Sequence, residues 1–362
     1  MVFLAGPRQV GKTTEALSLL GAEESSHAGY FNWDYPVQRD AIRTLLFPPR
    51  QRLIVLDEIH KYKKWRNLIK GAYDVQKSRH RFLVTGSARL DYYNRGGDSL
   101  QGRYHLLRLH PFSLSELKSL FPNVTLQNLF DYGGFPEPLF KRREIFSRRW
   151  RKERTDRVLS EDVRSLERVE EVSRLEELVA ALPSRVGSPL SYNNLAQDLD
   201  VAPRTVKRWV DIFERLYLAF RIYPFGSPKI RAVKKESKLY LWDWSEISEP
   251  GVRFENMVAC HLLKYCHFVE DTEGFRMELR YLRDTDAREV DFVVLKERKP
   301  IFAVECKYSN TSLSPHIRYF QTRTPVPQFF QVVFQSSIDW GDADVGGRVI
   351  SFDRLCDLLH LP

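Results

Sequence analysis

A glycine-rich loop near the start of the chain has the residue types and spacing of a phosphate-binding site. It follows the pattern GxxxxGK(S/T), between an apolar run at 2–5 and a helix-compatible segment at 14–20. In this context, backbone N–H groups and a helix N-terminus converge on phosphates. The loop positions are Gly6, Pro7, Arg8, Gln9, Val10, Gly11, Lys12, Thr13 and Thr14. We expect Lys12 to reach the β- and γ-phosphates of a nucleotide and Thr13 to hold Mg²⁺.

An acidic pair follows the next apolar run. Asp57 and Glu58 come directly after residues 53–56, which read as a buried parallel strand that ends at the ligand edge of a sheet. Asp57 is predicted to bind Mg²⁺ directly or through water, and Glu58 to polarise the attacking water. Alone, the pair also suits an ordinary strand end with solvated charges. The phosphate loop upstream favours the catalytic interpretation.

A third strand is predicted at 81–84, after a segment at 64–77 with the length of a crossover helix. The strand leads into Thr85, Gly86 and Ser87. A small hydroxyl residue at this place, Ser87, could sense the γ-phosphate. A plain Gly-Ser turn is an equally good interpretation.

Length and composition limit which classes of protein this chain can belong to. A chain of 362 residues exceeds what one core serves, so two or three domains are expected. The four cysteines show neither a CxxC pair nor a zinc spacing, and no stretch approaches the ~20 apolar residues of a membrane span. We therefore expect a cytoplasmic protein without a membrane partner. The net charge of +9 favours a polyanionic partner.

The middle of the chain reads as helical. Ser113 and Glu116 have the spacing of a capping box at the start of a helix, and a Gly-Gly-Phe-Pro turn occupies 133–136. Residues 141–157 are densely basic. This stretch suits either a solvated helix face or a surface for nucleic acid or nucleotide.

Two short helices across a tight turn are predicted between residues 191 and 210. Ser191 caps the first, and Pro203 suits the first turn of the second. With a strand at 216–224, the pattern indicates a winged helix-turn-helix. Arg204, Lys207 and Arg208 would lie on the outer face of the second helix, where they would contact DNA. Packing against protein is the alternative interpretation.

A hairpin near the C-terminus brings charged residues together. The predicted strand at 289–295 carries Asp291, and the predicted strand at 301–307 carries Glu305 and Lys307. Glu255 lies in a helix-like segment. Glu305 and Lys307 share a face because side chains alternate along a strand. Two carboxylates and a lysine can hold Mg²⁺ and stabilise a phosphodiester transition state. Surface charge pairing is the alternative interpretation.

Motifs through most of the chain carry a resemblance to a known family: Gly6–Thr14, Leu56–Lys61, Thr85–Ala88, Ser99–Tyr104, Gly133–Pro136, Arg253–Asn256, Glu289–Phe292 and Val304–Lys307. The chain resembles prokaryotic AAA+-type ATPases in which a P-loop domain and a winged helix precede a domain similar to restriction endonucleases. The resemblance implies ATP hydrolysis by Lys12, Thr13, Asp57 and Glu58. It also marks Arg103 as a sensor or a finger acting in trans, against the alternative of a structural arginine paired with an acid. Chains of this family usually begin a few tens of residues earlier, so the adenine pocket is not predicted here.

The predicted fold class is α/β, in four regions: a P-loop ATPase core at 1–110, a helical lid at 111–170, a winged helix-turn-helix at 171–228 and a restriction-endonuclease-like domain at 229–362. The predicted function is Mg²⁺-dependent ATP binding and hydrolysis, associated with DNA, with a metal-dependent nuclease-like C-terminal domain and possible homo-oligomers. The alternative is a nucleotide-switched binding or sensing protein whose C-terminal domain is an inactive scaffold. Convergence of Asp291, Glu305 and Lys307 would favour the first.

Overall fold

The computed structural model describes residues 1–86, 100, 102–163, 172–226, 236–335 and 337–362. Within them, backbone contacts divide the chain into two compact units. The first consists mainly of Met1–His110, and the second mainly of Pro111–Leu159, Val169–Glu214 and Leu218–Pro362. The residues predicted to form the lid, the winged helix and the C-terminal domain all lie mainly in the second unit.

The first unit alternates strands and helices around a parallel sheet. Its elements are β1 (Val2–Ala5), α1 (Lys12–Leu19), β2 (Tyr30–Asn32), α2 (Pro36–Thr44), β3 (Leu53–Asp57), α3 (Trp65–Gln76), β4 (Arg81–Gly86) and β5 (His105–Arg108). In the described residues the strand order is β2-β3-β4-β1-β5, and every neighbouring pair is parallel. The architecture is mixed α/β, with a parallel sheet consistent with a P-loop NTPase-like domain.

Apolar residues cover both faces of this sheet, as expected for parallel strands enclosed by helices. Alternate strand residues, such as Phe3, Ile54 and Phe82, pack with Trp65 and Ile69 of α3. Their neighbours along the strands, including Leu4, Val55 and Leu83, pack with Ala16 of α1. The two helices therefore cover opposite faces, and the start of α1 lies at the edge where β1 ends.

The second unit opens with short helices. These are α4 (Leu114–Leu120), α5 (Leu126–Tyr132), α6 (Pro136–Lys141) and α7 (Glu144–Arg157), which continues into a π-helical stretch, Val158–Val163; α8 (Val172–Ala181), α9 (Tyr192–Asp198) and α10 (Pro203–Arg215) follow. The predicted capping box is confirmed, because the Ser113 and Glu116 side chains each accept a hydrogen bond from the other's backbone N–H.

The Gly-Gly turn between α5 and α6 has little free space around it. A Cβ on Gly134 would lie 2.6 Å from the Phe112 carbonyl oxygen, and one on Gly133 would lie 2.5 Å from Asp243 Oδ1. Gly133 also has a positive φ of 77°, which favours glycine. The indole N–H of Trp244 donates to the Leu129 carbonyl at 2.9 Å. The turn thus fixes α5 and α6 against residues 243–245.

A mixed sheet forms the rest of the second unit. It contains β6 (Ala219–Pro224), β7 (Lys238–Leu241), β8 (Met277–Arg283), β9 (Glu289–Lys296), β10 (Lys299–Lys307), β11 (Phe329–Val333), β12 (Asp339–Asp342) and β13 (Gly347–Ser351). The order in the described residues is β12-β13-β11-β10-β9-β8-β6-β7. Three helices accompany it: α11 (Pro250–Glu273), α12 (Pro315–Gln321) and α13 (Phe352–Leu358).

The hairpin predicted near the C-terminus is the antiparallel pair β9–β10, with Ala303 opposite Val293 and Val304 opposite Phe292. The long helix α11 packs across β8, β9 and β10. Strand β6, placed in the winged-helix region by the sequence, pairs with both β7 and β8. The predicted boundary at 228 therefore falls between two strands that hydrogen-bond to each other.

Candidate functional site

The phosphate loop joins β1 to α1 and is tightly constrained. Gln9 and Gly11 have left-handed φ values of 62° and 105°, which turn successive backbone N–H groups toward one side. Gly6 sits where a Cβ would lie 2.3 Å from the Leu109 carbonyl oxygen, so a larger residue does not fit. Lys12 is buried, and its ammonium donates to the carbonyls of Gly6 at 3.0 Å and Pro7 at 2.6 Å. The loop therefore holds a cation beside the start of α1.

Asp57 is the buried carboxylate at the end of β3, with 2% of its surface exposed. Its Oδ2 accepts hydrogen bonds from Thr13 Oγ1 at 2.9 Å and Tyr30 Oη at 2.5 Å, and its Oδ1 accepts one from Thr85 Oγ1. Carboxylate and hydroxyl oxygens are the ligands that Mg²⁺ prefers. The pair Thr13 and Asp57 therefore fits the ion that the sequence predicted.

Sequence reasoning did not identify Tyr30 and Thr85 as part of this site. Burial, and then the neighbouring Asp57 charge, raise the pKa of Tyr30, so it stays a hydrogen-bond donor. Thr85 offered a signal, because it lies at the end of a predicted strand one position before Gly86. Tyr30 offered none, since its role depends on β2 lying next to β3.

Glu58 follows Asp57 in a left-handed conformation, with φ 56°. Burial and the adjacent Asp57 charge raise its pKa, against the opposing effect of Lys61, Lys12 and Arg8. Lys61 Nζ lies 3.5 Å from Glu58 Oε2 and 2.5 Å from Asp34 Oδ2. His60 Nε2 lies 3.8 Å from the same Glu58 oxygen, and burial lowers the pKa of His60 to about 3, so its imidazole is neutral. Glu58 thus lies beside Asp57, with a lysine shared between it and Asp34.

Two predicted ATPase residues stand apart from this group. Arg103 precedes β5, whereas the loop follows β1, so the two lie at opposite edges of the parallel sheet. Its guanidinium pairs with Asp74 at 2.9 Å, as in the structural alternative, and within one chain it does not reach the loop. Ser87 lies outside the described residues.

The second group of charged residues is in the C-terminal sheet. Asp291 of β9 and Glu305 of β10 are 9% and 3% exposed, and the Cys306 backbone N–H donates to Asp291 Oδ2 at 2.7 Å. Lys307 Nζ pairs with Glu305 Oε1 at 2.7 Å. The other oxygen, Glu305 Oε2, is buried and accepts no hydrogen bond from any residue that the structure describes. The three predicted residues are therefore brought together on adjacent strands.

Further charged side chains lie around them. Glu255 of α11 accepts a hydrogen bond from Tyr240 Oη at 2.7 Å, and Lys238 of β7 lies 3.7 Å from Glu255 Oε1 while also contacting Glu289. Sequence reasoning missed Lys238. Across the described ranges, no group of three or more His, Cys, Asp or Glu side chains has the arrangement of a metal site. Asp291 and Glu305, on the paired strands β9 and β10, are the two carboxylates that the sequence predicts to hold an ion.

The proximity of the carboxylates changes their protonation. Burial and then the Asp291 charge raise the pKa of Glu305 to about 8, and the same two causes raise that of Glu255 to about 8. Burial also raises the pKa of Asp291, which Lys238 opposes. Carboxylates that meet without an ion between them repel each other, and this repulsion adds to the effect of burial on their pKa values.

The segment predicted to be a helix-turn-helix contains two helices, α9 and α10, and Ser191 Oγ accepts the Asn194 N–H at 3.3 Å. Arg204, Lys207 and Arg208 are exposed, and Lys207 pairs with Asp211 at 3.0 Å. Arg221 of β6 pairs with Asp211 at 2.6 Å and with Glu214, and donates to Tyr192 Oη at 2.5 Å. This cluster ties both helices to β6.

The basic stretch divides into two parts. Arg154 is 2% exposed and lies over the Phe135 ring at 4.3 Å, and Arg151 donates to the Ser245 carbonyl at 2.7 Å. These two arginines serve packing within the unit. The exposed members are Lys141, Arg142, Arg143, Arg148, Arg149, Lys152 and Arg157.

Comparison with known proteins assigns the first unit. Residues 1–118 match the family described as an AAA domain. The N-terminal region is AAA-type and P-loop-ATPase-like. Residues 124–245 and 250–338 match two domains of unknown function, DUF8612 and DUF4143. No helix in the described ranges is long and apolar enough to cross a membrane.

Relatives with a similar sequence occur in bacteria and archaea. The uncharacterized proteins Rv2008c of Mycobacterium tuberculosis and Mb2031c of Mycobacterium bovis are each 26% identical to this chain over 67% of its length. The uncharacterized protein MJ1637 of Methanocaldococcus jannaschii is 23% identical over 59% of this chain. Each alignment covers 54% of the relative, so the chain spans about half the length of the curated relatives it matches.

The raised pKa of Glu305 predicts how the stability of the protein depends on pH. An unfolded glutamate titrates near ~4.3, and in the fold Glu305 titrates at about 8, so between these values the native state binds more protons than the unfolded state. The contribution of Glu305 to the free energy of unfolding in EDTA should therefore fall as pH rises from 5 to 8. The Glu305→Gln variant should lack this contribution. Its free energy of unfolding should therefore increase relative to that of the parent as pH rises.

The measurement is denaturant unfolding at several pH values in that window. Glu153→Gln, which changes an exposed glutamate of α7, is the matched control and should follow the parent throughout. A Glu305→Gln curve parallel to the parent curve would contradict the prediction.

Proposed function

We propose that the chain binds ATP with Mg²⁺ and hydrolyses it at the edge of the first sheet. The observation that carries this is the hydrogen bond between Thr13 and buried Asp57 at the start of α1, beside the Lys12 ammonium. The backbone N–H groups of the loop would bind the phosphates, and Lys12 would exchange its two loop carbonyls for phosphate oxygens. Thr13 and Asp57 would hold Mg²⁺, which supplies positive charge to the β- and γ-phosphates when bound.

Glu58 is the proposed general base. A base works best when its pKa approaches the working pH, and burial beside Asp57 raises the pKa of Glu58 in that direction. Lys61, which lies beside Glu58, would hold the Glu58 carboxylate in place until a water near the bound nucleotide replaces Lys61 as its hydrogen-bond partner. Arg103, at the far edge of the sheet, would serve only as a finger in trans in a homo-oligomer, where it would have to leave Asp74.

Substitution at the loop and at the base should separate binding from turnover. Lys12→Ala should abolish binding of a fluorescent ATP analogue, because the phosphates lose their lysine. Glu58→Gln should keep binding and lose turnover by about 10²–10⁴-fold, because the phosphate contacts stay while the water is no longer polarised. Lys63→Ala, an exposed lysine, is the control for both measurements. Equal turnover in Glu58→Gln and the parent would remove Glu58 from this role.

A second candidate function concerns the C-terminal sheet, which we propose is restriction-endonuclease-like. Asp291 and Glu305 lie on adjacent strands, and the unpartnered Glu305 Oε2 supports a divalent ion held between them. Lys307, on the same face as Glu305, would meet negative charge developing on a phosphodiester. An ion there would supply Lewis-acid chemistry, and Asp291 and Glu305 would hold it.

Cleavage assays test this second function. The parent should cut DNA in the presence of Mn²⁺, and Asp291→Ala should not, with folding unchanged by circular dichroism. Asp344→Ala, an exposed aspartate of the same unit, should cut like the parent. Absence of metal-dependent cleavage of single- or double-stranded DNA or RNA by the parent would favour the alternative function. In that case the protein is a nucleotide-switched binding or sensing protein with an inactive scaffold.

DNA association would come from α10, which we propose is the second helix of a winged helix-turn-helix. DNA binding should weaken steeply with salt, because each neutralised phosphate releases counterions. Replacing Arg204, Lys207 and Arg208 with alanine should reduce the slope of log affinity against log salt by up to ~3. The control removes the same charge elsewhere, at Lys63, Arg298 and Lys299. No shift of labelled DNA at low salt, with or without ATP, would make the segment a protein-packing one.

A further inference from the structure

Lys238 lies inside the carboxylate group of the second unit. It is wholly buried, and its ammonium contacts Glu289 and lies 3.7 Å from Glu255 Oε1. Its other neighbour is the face of the Tyr281 ring, at 5.4 Å from the ring centroid. A buried ammonium requires this kind of compensation, because an isolated charge out of water is very costly. Lys238 is therefore a cation surrounded by carboxylates of β9 and α11.

The carboxylates around Lys238 are held in place by other residues. Glu255 accepts from Tyr240 Oη at 2.7 Å, and Arg283 of β8 pairs with the second Glu289 oxygen at 2.8 Å. Glu289 and Asp291 share a face of β9, because they are two residues apart on one strand. Glu255 of α11 and Glu289 of β9 thus approach the ammonium from two elements, as ligands approach a hard metal ion.

The path of β7 shows that this contact is built into the fold. In the hydrogen-bonded order, β6 and β8 separate β7 from β9, which in a flat sheet would put the strands roughly 14 Å apart. Strand β6 pairs with β8 only through Tyr223 and Pro224. The β6–β7 pair is therefore tied to β8 at the C-terminal end of β6, and from there the long Lys238 side chain reaches Glu289.

We propose that Lys238 occupies the place of a second cation in this site. The carboxylate group then has two cation positions: Lys238 fills the one formed by Glu255 and Glu289, and a divalent ion would fill the one between Asp291 and Glu305. Paired metal sites commonly lie about 3.5–4 Å apart. This inference builds on the proposed ion at Asp291 and Glu305, but its central claim concerns the position that Lys238 fills.

The test counts bound Mn²⁺ per chain by the loss of the free-ion electron paramagnetic resonance signal. Whatever number the parent binds, Lys238→Met should bind one more, because Glu255 and Glu289 then lack this cation. Lys238→Arg keeps the charge and should bind the same number as the parent. Adding Glu255→Gln and Glu289→Gln to Lys238→Met should remove the extra ion. An unchanged count in a folded Lys238→Met variant would overturn the proposal.

A second measurement uses variants that keep Lys238. Glu255→Gln and Glu289→Gln in the parent background should leave the Mn²⁺ count and affinity unchanged, because these carboxylates bind the lysine. A tenfold or greater loss of affinity in either would make it a metal ligand and overturn the proposal, even if Lys238→Met fails to fold. A parent that binds no Mn²⁺ would instead refute the proposed ion at Asp291 and Glu305, and the gain of one ion in Lys238→Met would still decide the role of Lys238.

Discussion

A carboxylate shielded from water must find hydrogen-bond donors or a cation, and Asp57 meets this requirement with three hydroxyl groups. The donors come from three elements: Thr13 from α1, Tyr30 from β2 and Thr85 from β4. Because each element is tied to the same carboxylate, the helix that follows the phosphate loop is held in register with three strands. Hydroxyl groups satisfy the oxygen lone pairs without neutralising the charge. The edge of the sheet therefore keeps a negative charge beside the Lys12 ammonium, an arrangement that suits a phosphate–metal complex and no apolar ligand.

The second unit meets the same constraint with charge instead of neutral donors. Lys238 and Lys307 pair with Glu289 and Glu305, and Arg283 completes the pairing of Glu289. Removing Glu289 from its pair with buried Lys238 should cost about 3–5 kcal/mol, because the lysine would be left uncompensated. The β6–β7 pair, the helix α11 and the hairpin β9–β10 are thus coupled through their charges as well as through their apolar contacts. The unsatisfied Glu305 Oε2 is the point at which this pairing is incomplete.

Local patterns in the sequence predicted the elements well. The β1 bounds, the α3 crossover helix, the capping box at Ser113 and the β9–β10 hairpin all follow from apolar runs, turn residues and side-chain alternation. Each of these features depends on residues close together in the chain. The alternation of period two also placed Glu305 and Lys307 on one face, which their ion pair confirms.

Contacts between distant residues were not predictable in this way. Tyr30 reaches Asp57 only because β2 lies beside β3, and Lys238 contacts Glu289 across 51 positions of the chain although β6 and β8 lie between their strands in the sheet order. The family resemblance marked Arg103 as a candidate ATPase residue, but it did not indicate at which edge of the sheet Arg103 lies. Arg103 precedes β5, whereas the phosphate loop follows β1. In a parallel sheet, the starts and the ends of the strands lie at opposite edges.

The helix α10 shows how charge is divided between two faces of one element. Its inner face buries Val206, Trp209 and Phe213, and its acidic residues Asp211 and Glu214 are bound by Arg221 of β6. Because Arg221 of β6 pairs with both acids, the exposed residues Arg204, Lys207 and Arg208 give the outer face its positive charge. The pair of Lys207 with Asp211 is exposed and is worth only about 0.3–0.5 kcal/mol. A phosphate could replace Asp211 at Lys207 at little cost, because Arg221 would still hold that aspartate, and so the internal pairing of α10 does not oppose binding of a polyanion.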